Sequence, residues 1–157
     1  MKKLITRSRL AADIRKLQKS GKCVVFTNGC FDLLHIGHVR LFKAAKKLGD
    51  VLVIGLNSDT SLRRLKGPAR PLVNQRSRAE VLSALEPVDY VVIFNEDTPA
   101  ELLSALKPDI LVKGGDYRLN DIVGRDQVKK VVRFPLVAGN STSGLIKKII
   151  HAYGTKS

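Results

Sequence analysis

Two histidines, His35 and His38, stand three residues apart around Gly37, in a chain that contains three histidines in all. Residues i and i+3 share a face of a helix, so both imidazoles can point at one anion if a helix begins here. The unpaired N–H groups and the positive dipole end of a helix N-terminus attract phosphate, and Gly37 lets a backbone approach closely. The spacing therefore predicts a phosphate site, with two ordinary surface histidines beside a turn as the alternative.

The elements around these histidines are the ones that such a site needs. The apolar run from Val24 to Thr27 predicts a strand covered on both faces, and the chain breaks at Asn28-Gly29. A helical period follows, from about His38 to Leu48. A strand, a turn and a helix in this order place the histidines near the carboxyl end of a strand.

The rest of the chain alternates strand and helix patterns. Further strands are predicted at Val51 to Leu56, Tyr90 to Phe94, Ile110 to Val112 and Val131 to Pro135. Helices are predicted at Arg7 to Ser20, Gln75 to Leu85, Asp97 to Leu106 and Ser141 to Ile150. This alternation is typical of a parallel sheet with helices on both faces. We expect an α/β fold, a single Rossmann-like α/β/α domain over residues 1–157 with a five-stranded parallel sheet, on which residues 1–21 pack as an N-terminal helix.

Two segments outside the histidine region could contribute to the site. Ligands of open parallel sheets bind outside the carboxyl ends of the strands, where Asn57-Ser58-Asp59 follows a strand; this tripeptide is either a ligand contact or a simple helix cap. The basic run from Arg63 to Gln75 is interpreted as a mobile loop over the substrates. Arg76 and Arg78 are interpreted as solvated positions on a helix face.

A family resemblance rests on the residues around the histidines. Thr27-Asn28-Gly29-Cys30-Phe31-Asp32, followed by His35-Ile36-Gly37-His38, resembles the signature of the cytidylyltransferase-like nucleotidyltransferases. In that family the His-x-Gly-His motif binds the phosphates of a nucleoside triphosphate. His-Ile-Gly-His also occurs in class I aminoacyl-tRNA synthetases, but this chain has no Lys-Met-Ser-Lys-Ser sequence.

Finer features are similar to the adenylyltransferases that make ADP-heptose: Glu96 to Pro99, Lys107 to Asp109, Leu111 to Tyr117 and Ser141-Thr142-Ser143. This resemblance implies transfer of the adenylyl group of ATP to D-glycero-D-manno-heptose 1-phosphate, giving ADP-heptose and pyrophosphate for lipopolysaccharide precursor synthesis. A cytidylyltransferase acting on glycerol 3-phosphate or another alcohol phosphate is the alternative among enzymes. The segment from Gly124 to Phe134 is shorter than this family leads us to expect, which puts a helix before the last strand in doubt.

The resemblance also implies roles for the matching residues. His35, His38 and Lys66 are the expected catalytic residues, acting on the triphosphate and the leaving group. The expected nucleotide-binding residues are Thr27, Asn28, Phe31, Asp32, Gly37, Lys113, Gly114, Asp116, Ser141, Thr142 and Ser143. Among them, Asp32 is expected to position a ribose or a neighbouring lysine, and the stretch from Lys113 to Asp116 to flank the nucleoside. Asp59 and Arg70 are expected to contact the substrate. Mg²⁺ is the expected cofactor, held mainly by phosphates, with no metal ligands assigned to the protein.

The charge of the chain suggests an anionic partner. Lys and Arg number 28 against 14 Asp and Glu, a formal charge of +14. Such an excess attracts polyanions, and a basic nucleic-acid-binding module is the alternative that is not an enzyme. The aromatic content is 5% with no Trp, which argues against stacking on single strands. The family resemblance implies ATP and a sugar 1-phosphate as partners, whose own charge accounts for part of the basic excess, and we expect no nucleic acid.

The apolar content bears on location and assembly. No apolar run approaches the roughly 18 residues of a membrane span, and no apolar segment follows the basic start, so we expect a cytoplasmic protein with no membrane partner. Cys23 and Cys30 are not expected to form a disulfide in that compartment. The family resemblance implies a homodimer.

Overall fold

Five strands and six α-helices alternate within the residues that this computed structural model describes, 3–115, 118–135, 139 and 141–154. The strands are β1 (Val24–Gly29), β2 (Val51–Asn57), β3 (Tyr90–Phe94), β4 (Ile110–Gly114) and β5 (Lys130–Phe134). The helices are α1 (Arg7–Lys19), α2 (Ile36–Lys46), α3 (Asp59–Lys66), α4 (Gln75–Ala84), α5 (Ala100–Leu106) and α6 (Thr142–Tyr153). The predicted alternation is confirmed, with the ends of elements shifted by a few residues.

The strands form one parallel sheet in the order β3-β2-β1-β4-β5. The chain builds outward from β1 to β3 and then returns to lay β4 on the other side of β1. This reversal creates a switch point between β1 and β4, where open α/β sheets have a crevice outside the carboxyl ends of their strands. The predicted α/β fold, a Rossmann-like domain with a five-stranded parallel sheet, is confirmed.

Two apolar cores cover the two faces of the sheet. Because side chains alternate along a strand, Phe26 and Leu111 pack with α1 and α5 on one face, whereas Val25 and Val112 pack with α2 and α4 on the other. We call these the α1/α5 face and the α2/α4 face. Central strand β2 is buried along its whole length, which explains its unbroken apolar sequence.

Helix α1 is an integral part of the α1/α5 face. Leu10 and Ile14 are fully buried there, and the segment before the helix adds a parallel bridge between Leu4 and Val91 beside β3. No helix in the described part of the chain is long and apolar enough to cross a membrane.

The basic segment is not a loop throughout, which corrects the sequence interpretation. Residues 63–66 form the last turn of α3. Ser58 starts this helix by accepting a hydrogen bond from the Ser61 N–H, and the helix continues to Lys66. Basic residues in a last turn also compensate the helix dipole. The loop therefore starts at Gly67, whose positive φ of 94° ends the helix.

The connection between β4 and β5 is short, as the length of the segment from Gly124 to Phe134 suggested. Between β4 and β5 the described residues form two short 3₁₀ turns, Leu119–Asp121 and Arg125–Gln127, and no α-helix. This short crossover places Ile122 in the core of the α1/α5 face.

Candidate active site

A cavity of about 600 Å³ lies at the switch point, over the carboxyl edge of the sheet. The predicted site residues that line it are Asn28, Phe31, Asp32, His35, Gly37, His38, Lys66, Arg70, Lys113, Gly114, Ser141, Thr142 and Ser143. The structure therefore brings most of the residues singled out from the sequence to one place.

Among the described residues, two predicted site residues do not line the cavity. Thr27, expected to bind the nucleotide, is only 1% exposed, and its hydroxyl is buried without a hydrogen-bond partner in the described residues. Asp59 lies beside the site and is ion-paired with Arg78 at 2.7 Å instead of facing a substrate. Asp116 lies outside the described residues.

His35 caps the N-terminus of α2. Its Nδ1 accepts a hydrogen bond from the Gly37 N–H at 3.2 Å. A nitrogen that accepts carries no proton, so neutral His35 is protonated on Nε2. Burial lowers the pKa of His35, which favours this neutral form. The cap thus leaves one N–H donor on the imidazole ring for a ligand.

His38 follows in the first turn of α2 and stacks on His35, with ring centroids 3.8 Å apart and an interplanar angle of 27°. Burial, together with the neighbouring His35, lowers the pKa of His38 to about 4. Its Nδ1 is buried without a hydrogen-bond partner among the described residues. The predicted juxtaposition of the two imidazoles is confirmed, and the lowered pKa of each ring favours its neutral form over the cation.

Phe31 sets the position of His38. Its ring makes edge contacts with His38 and Phe42, each with centroids 5.2 Å apart. The Phe31 backbone has a positive φ of 43°, which turns the ring back over Gly29. A Cβ on Gly29 would lie 2.9 Å from the Phe31 ring, so this close approach requires glycine. The glycine of the strand-end motif therefore serves the packing of Phe31.

The backbone amides at the α2 N-terminus are less available to an anion than the sequence suggested. The Gly37 N–H is bonded to the His35 side chain, and the His38 N–H is bonded to the His35 carbonyl at 2.9 Å. These internal bonds follow from the histidine cap, so the imidazole rings are groups at this helix start that remain free to bind an anion.

The N-terminus of α6 is joined to the same site. The Thr142 hydroxyl donates to the carbonyl of Leu33, in the loop before α2, at 3.2 Å. Ser141 caps α6 by accepting from the Gly144 N–H at 3.0 Å. Since the first-turn N–H groups of a helix have no intrahelical acceptor, Thr142 and Ser143 can present theirs to an anion in the cavity.

Asp32 holds the loop that follows α3. Its buried carboxylate accepts from the N–H groups of Leu72 and Val73 at 3.0 and 2.9 Å and from Arg70 at 2.5 Å. Burial alone would raise the pKa of Asp32, but these donors lower it below its ordinary value. Asp32 therefore positions an arginine of the loop, whereas the sequence suggested a ribose or a lysine.

Arg78 is a buried supporting residue, which corrects the interpretation of it as a solvated position on a helix face. It is 2% exposed, and its guanidinium donates to the carbonyls of Cys30, Asn57 and Val73 and to the carboxylate of Asp59. These acceptors come from the ends of β1 and β2, the start of α3 and the loop before α4. A signal was present in the sequence, because position 78 lies four residues before Leu82, on the apolar stripe of α4.

Two lysines, from the end of α3 and the end of β4, bring positive charge to the cavity. Lys66, expected to be catalytic, is exposed at the end of α3 and lines the cavity. Lys113 is half-buried at the end of β4, and its ammonium donates to the Asn28 side chain at 2.7 Å. Burial lowers the pKa of Lys113.

The cavity has further lining residues that the sequence did not assign to the site. On the α1/α5 face they include the polar residues Asp97, Thr98 and Asp121. Asn57, which the sequence offered as part of either a ligand contact or a helix cap, also lines the cavity. Asp97 to Pro99 was recognised as a family feature, but its place in the cavity follows only from the packing of α5.

A protein-bound metal centre finds little support in the described residues. No group of three or more His, Cys, Asp or Glu side chains there could hold a metal ion. Two of the carboxylates that line the cavity are ion-paired with arginines, Asp32 with Arg70 and Asp97 with Arg64.

Comparison with known families agrees with this geometry. The profile of the family described as cytidylyltransferase-like matches residues 26–152. The chain belongs to the cytidylyltransferase-like family. The resemblance inferred from the histidine motif is thereby confirmed, and the residues matched include the strand end and the histidine pair that line the cavity.

Curated relatives of this cytidylyltransferase-like chain are identical to it at more than half of the aligned positions. The bifunctional protein HldE of Syntrophotalea carbinolica is 56% identical over 140 residues, 87% of this chain and 29% of that protein. The bifunctional protein HldE of Geobacter sulfurreducens is 54% identical over 92% of this chain and 30% of that protein. The chain thus spans about a third of the length of these relatives.

Solved structures of related fold include two of interest. The lipopolysaccharide core biosynthesis protein of Thermoplasma volcanium GSS1 is 32% identical, with a TM-score of 0.64 over 74% of this chain and 99% of that one. A pantoate-beta-alanine ligase from Francisella tularensis has a TM-score of 0.65 over 91% of this chain and 69% of that one, at 16% identity, and shows a likeness of fold alone.

Proposed function

We propose that this chain transfers the adenylyl group of ATP to D-glycero-D-manno-heptose 1-phosphate, forming ADP-heptose and pyrophosphate. The observation that carries the proposal is the stacked, neutral pair His35 and His38 at the start of α2, in a cavity at the switch point of the sheet. Such a pair, beside the α6 N-terminus, suits a triphosphate.

The choice of the heptose phosphate rests on similarity. The stretches Glu96 to Pro99 and Leu111 to Tyr117 resemble the adenylyltransferases that make ADP-heptose. The HldE proteins at 51–59% identity and the lipopolysaccharide core biosynthesis protein at 32% identity support the same assignment.

The reaction needs charge neutralisation more than it needs a base. The second pKa of a phosphate monoester is near 6, so the acceptor phosphate is already ionised at neutral pH. One of its oxygens attacks the α-phosphorus of ATP, the bond to the β-phosphate oxygen breaks, and pyrophosphate leaves with the bonding electrons. His35 donates from Nε2 to the triphosphate, and Lys66 neutralises charge on the leaving group.

Mg²⁺ is proposed as the cofactor of this reaction. The described carboxylates fit an ion that is bound through phosphate oxygens rather than through a cage of side chains, because Asp32 and Asp97 are engaged by arginines. When bound, the ion neutralises charge on the phosphate oxygens.

Pyrophosphate release tests the proposal. The purified chain is assayed with Mg²⁺ and each pairing of ATP, CTP or GTP with heptose 1-phosphate or glycerol 3-phosphate. We expect turnover with ATP and the heptose phosphate. Turnover only with CTP or with glycerol 3-phosphate would contradict the substrate assignment while leaving the nucleotidyltransferase chemistry intact.

Assembly and location are proposed together with the activity. We propose a homodimer in the cytoplasm that binds neither nucleic acid nor membranes, in line with the family resemblance. Sedimentation velocity of the chain measures the first point, since a monomer at assay concentration would contradict it.

A further inference from the structure

Lys113 has a different environment from the other lysine of the cavity. Its ammonium donates to the neutral amide oxygen of Asn28 at 2.7 Å and forms no ion pair within the described part of the chain. Burial lowers the pKa of Lys113, as expected when a charged form is removed from water without an opposite charge. An anionic ligand would supply that charge.

The register of the sheet places Lys113 away from the histidines. Side chains alternate along a strand, so Lys113 projects to the same face as Leu111, and Asn28 to the same face as Phe26. Both apolar residues belong to the α1/α5 face. The histidine pair starts α2, which packs on the α2/α4 face. One cavity therefore spans both faces, with imidazoles on one side and an ammonium on the other.

The geometry of phosphoryl transfer assigns different ligands to these two sides. Attacking and leaving oxygens lie roughly in line at the reacting phosphorus. The triphosphate sites at the starts of α2 and α6 lie together, because Thr142 bonds to the loop before α2. The acceptor must therefore approach the α-phosphorus from the side opposite the starts of α2 and α6. Lys113 lies on that side.

We propose that Lys113 binds the phosphate of the acceptor substrate, an alcohol or sugar phosphate, on the α1/α5 face of the cavity. The proposal rests on the proposed nucleotidyltransferase function and revises the sequence expectation that Lys113 flanks the nucleoside. A nucleoside brings no anion to this half-buried ammonium, whereas the acceptor brings the phosphate that attacks.

The same side of the cavity offers groups for the rest of the acceptor. Asp97, Thr98 and Asp121 line it, and carboxylates accept hydrogen bonds from hydroxyl groups. Asp97 is ion-paired with Arg64, whereas Asp121 has no ion pair among the described residues. Asp121 is therefore the better placed to bind a polyhydroxylated acceptor.

In the reaction Lys113 holds the attacking phosphate without exchanging a proton. The acceptor oxygen forms the new bond to the α-phosphorus, and the bond to the leaving pyrophosphate breaks with its electron pair. The lysine orients the acceptor and reduces the repulsion between two anionic substrates.

Separate KM values for the two substrates test this assignment. The variants are Lys113→Met and Lys113→Gln, with Lys19→Met as a control that removes one charge from the exposed end of α1. We expect the Lys113 variants to raise the acceptor KM by about 10-fold to 100-fold, the range for a hydrogen bond to a charged group. The ATP KM should change by less than about 3-fold, and Lys19→Met should match the wild type. Thermal unfolding of each variant verifies that it is folded.

Two results would overturn the assignment of Lys113. One is an ATP KM that rises as much as the acceptor KM, which would place Lys113 at the nucleotide. The other is unchanged kinetics in both Lys113 variants.

A failure of the proposed function is seen separately, in the wild type. If the wild type uses CTP and glycerol 3-phosphate, the same comparison is made with those substrates. If no pair turns over, titration with inorganic phosphate tests the assignment of Lys113. We then expect Lys113→Met to bind phosphate more weakly than the wild type, and equal affinities would contradict the assignment.

Discussion

At the scale of single residues, the site depends on groups whose charge is set by burial. The two stacked imidazoles are held neutral, while the positive charge comes from Lys66, Arg70 and Lys113 around the cavity. A neutral imidazole donates one hydrogen bond without needing a counter-ion, so it can strengthen its contact as charge develops on the phosphates. The histidines thus offer directional hydrogen bonds, and the lysines and the arginine offer the positive charge.

Removing the His38 side chain should affect catalysis far more than folding. A preorganised donor to a developing charge is commonly worth a factor of about 100 to 1000 in rate. We expect His38→Ala to lose activity by this order, measured as pyrophosphate release. The control is His151→Ala, which removes the exposed third histidine near the end of α6. Equal activity of the two variants would contradict the role of His38.

The lowered pKa of His38 also predicts how stability changes with pH. An unfolded histidine takes up a proton near pH 6.5, whereas folded His38, beside His35, does so only at about pH 4. The unfolded state thus binds more protons in this window, and stability falls as pH falls through it. We expect urea unfolding to show a smaller loss of stability between about pH 6.5 and about pH 4 in His38→Gln than in wild type. Parallel curves for the two proteins would show that His38 titrates normally.

At the scale of elements, the site lies where several strand ends, helix starts and loops meet, and polar side chains fix these segments to one another. Asp32 joins the end of β1 to the loop after α3. Arg78 joins the ends of β1 and β2 to the start of α3 and to the start of α4. Thr142 joins α6 to the loop before α2. Strand ends and loops have few regular hydrogen bonds of their own, so these contacts give the cavity its shape.

Loss of the Arg78 guanidinium should destabilise this arrangement strongly. Arg78→Met leaves the carboxylate of Asp59 and several buried carbonyls without their donor. Breaking one partner of a buried ion pair costs about 3 to 5 kcal/mol, and we expect the free energy of unfolding to fall by about 3 kcal/mol. Chemical denaturation measures this change.

Arg76→Met is the matched control for that measurement. Arg76 lies on the same helix but is exposed, and surface substitutions usually stay within about 0.5 kcal/mol. Similar losses in both variants would mean that the buried contacts of Arg78 contribute little.

At the scale of the whole molecule, the net charge of +14 creates a field that attracts anions. ATP and a sugar phosphate are both strongly anionic, so such a field favours their encounter with the site. The same field would attract nucleic acid without specificity.

The affinity for DNA distinguishes a field that attracts small anionic substrates from a surface built to bind nucleic acid. For a nucleotidyltransferase we expect a short duplex to bind no more tightly than about 1 µM at physiological salt, the range of non-specific contacts. Fluorescence anisotropy measures the affinity at several salt concentrations, with ATP added as a competitor. Saturable nanomolar binding would instead favour the basic nucleic-acid-binding module.

The sequence by itself determined the fold and the centre of the site. Unbroken apolar runs alternating with helical periods are enough to specify a parallel sheet, because strands buried on both faces tolerate few polar residues. The pair His35 and His38 could be predicted because their spacing is local, within one helical turn. The short segment before β5 was also visible as a departure in length.

Only the tertiary structure decided which charged side chains serve the cavity and which support it. Arg78 resembles any helix-surface arginine until the ends of β1 and β2 close over it, and Asp59 resembles a site residue until Arg78 pairs with it. The face on which Lys113 projects depends on the register of β4 beside β1. Charge and burial of these groups arise from contacts between residues that are distant in the chain, as in the 38 positions that separate Asp32 from Arg70, so no local pattern can reveal them.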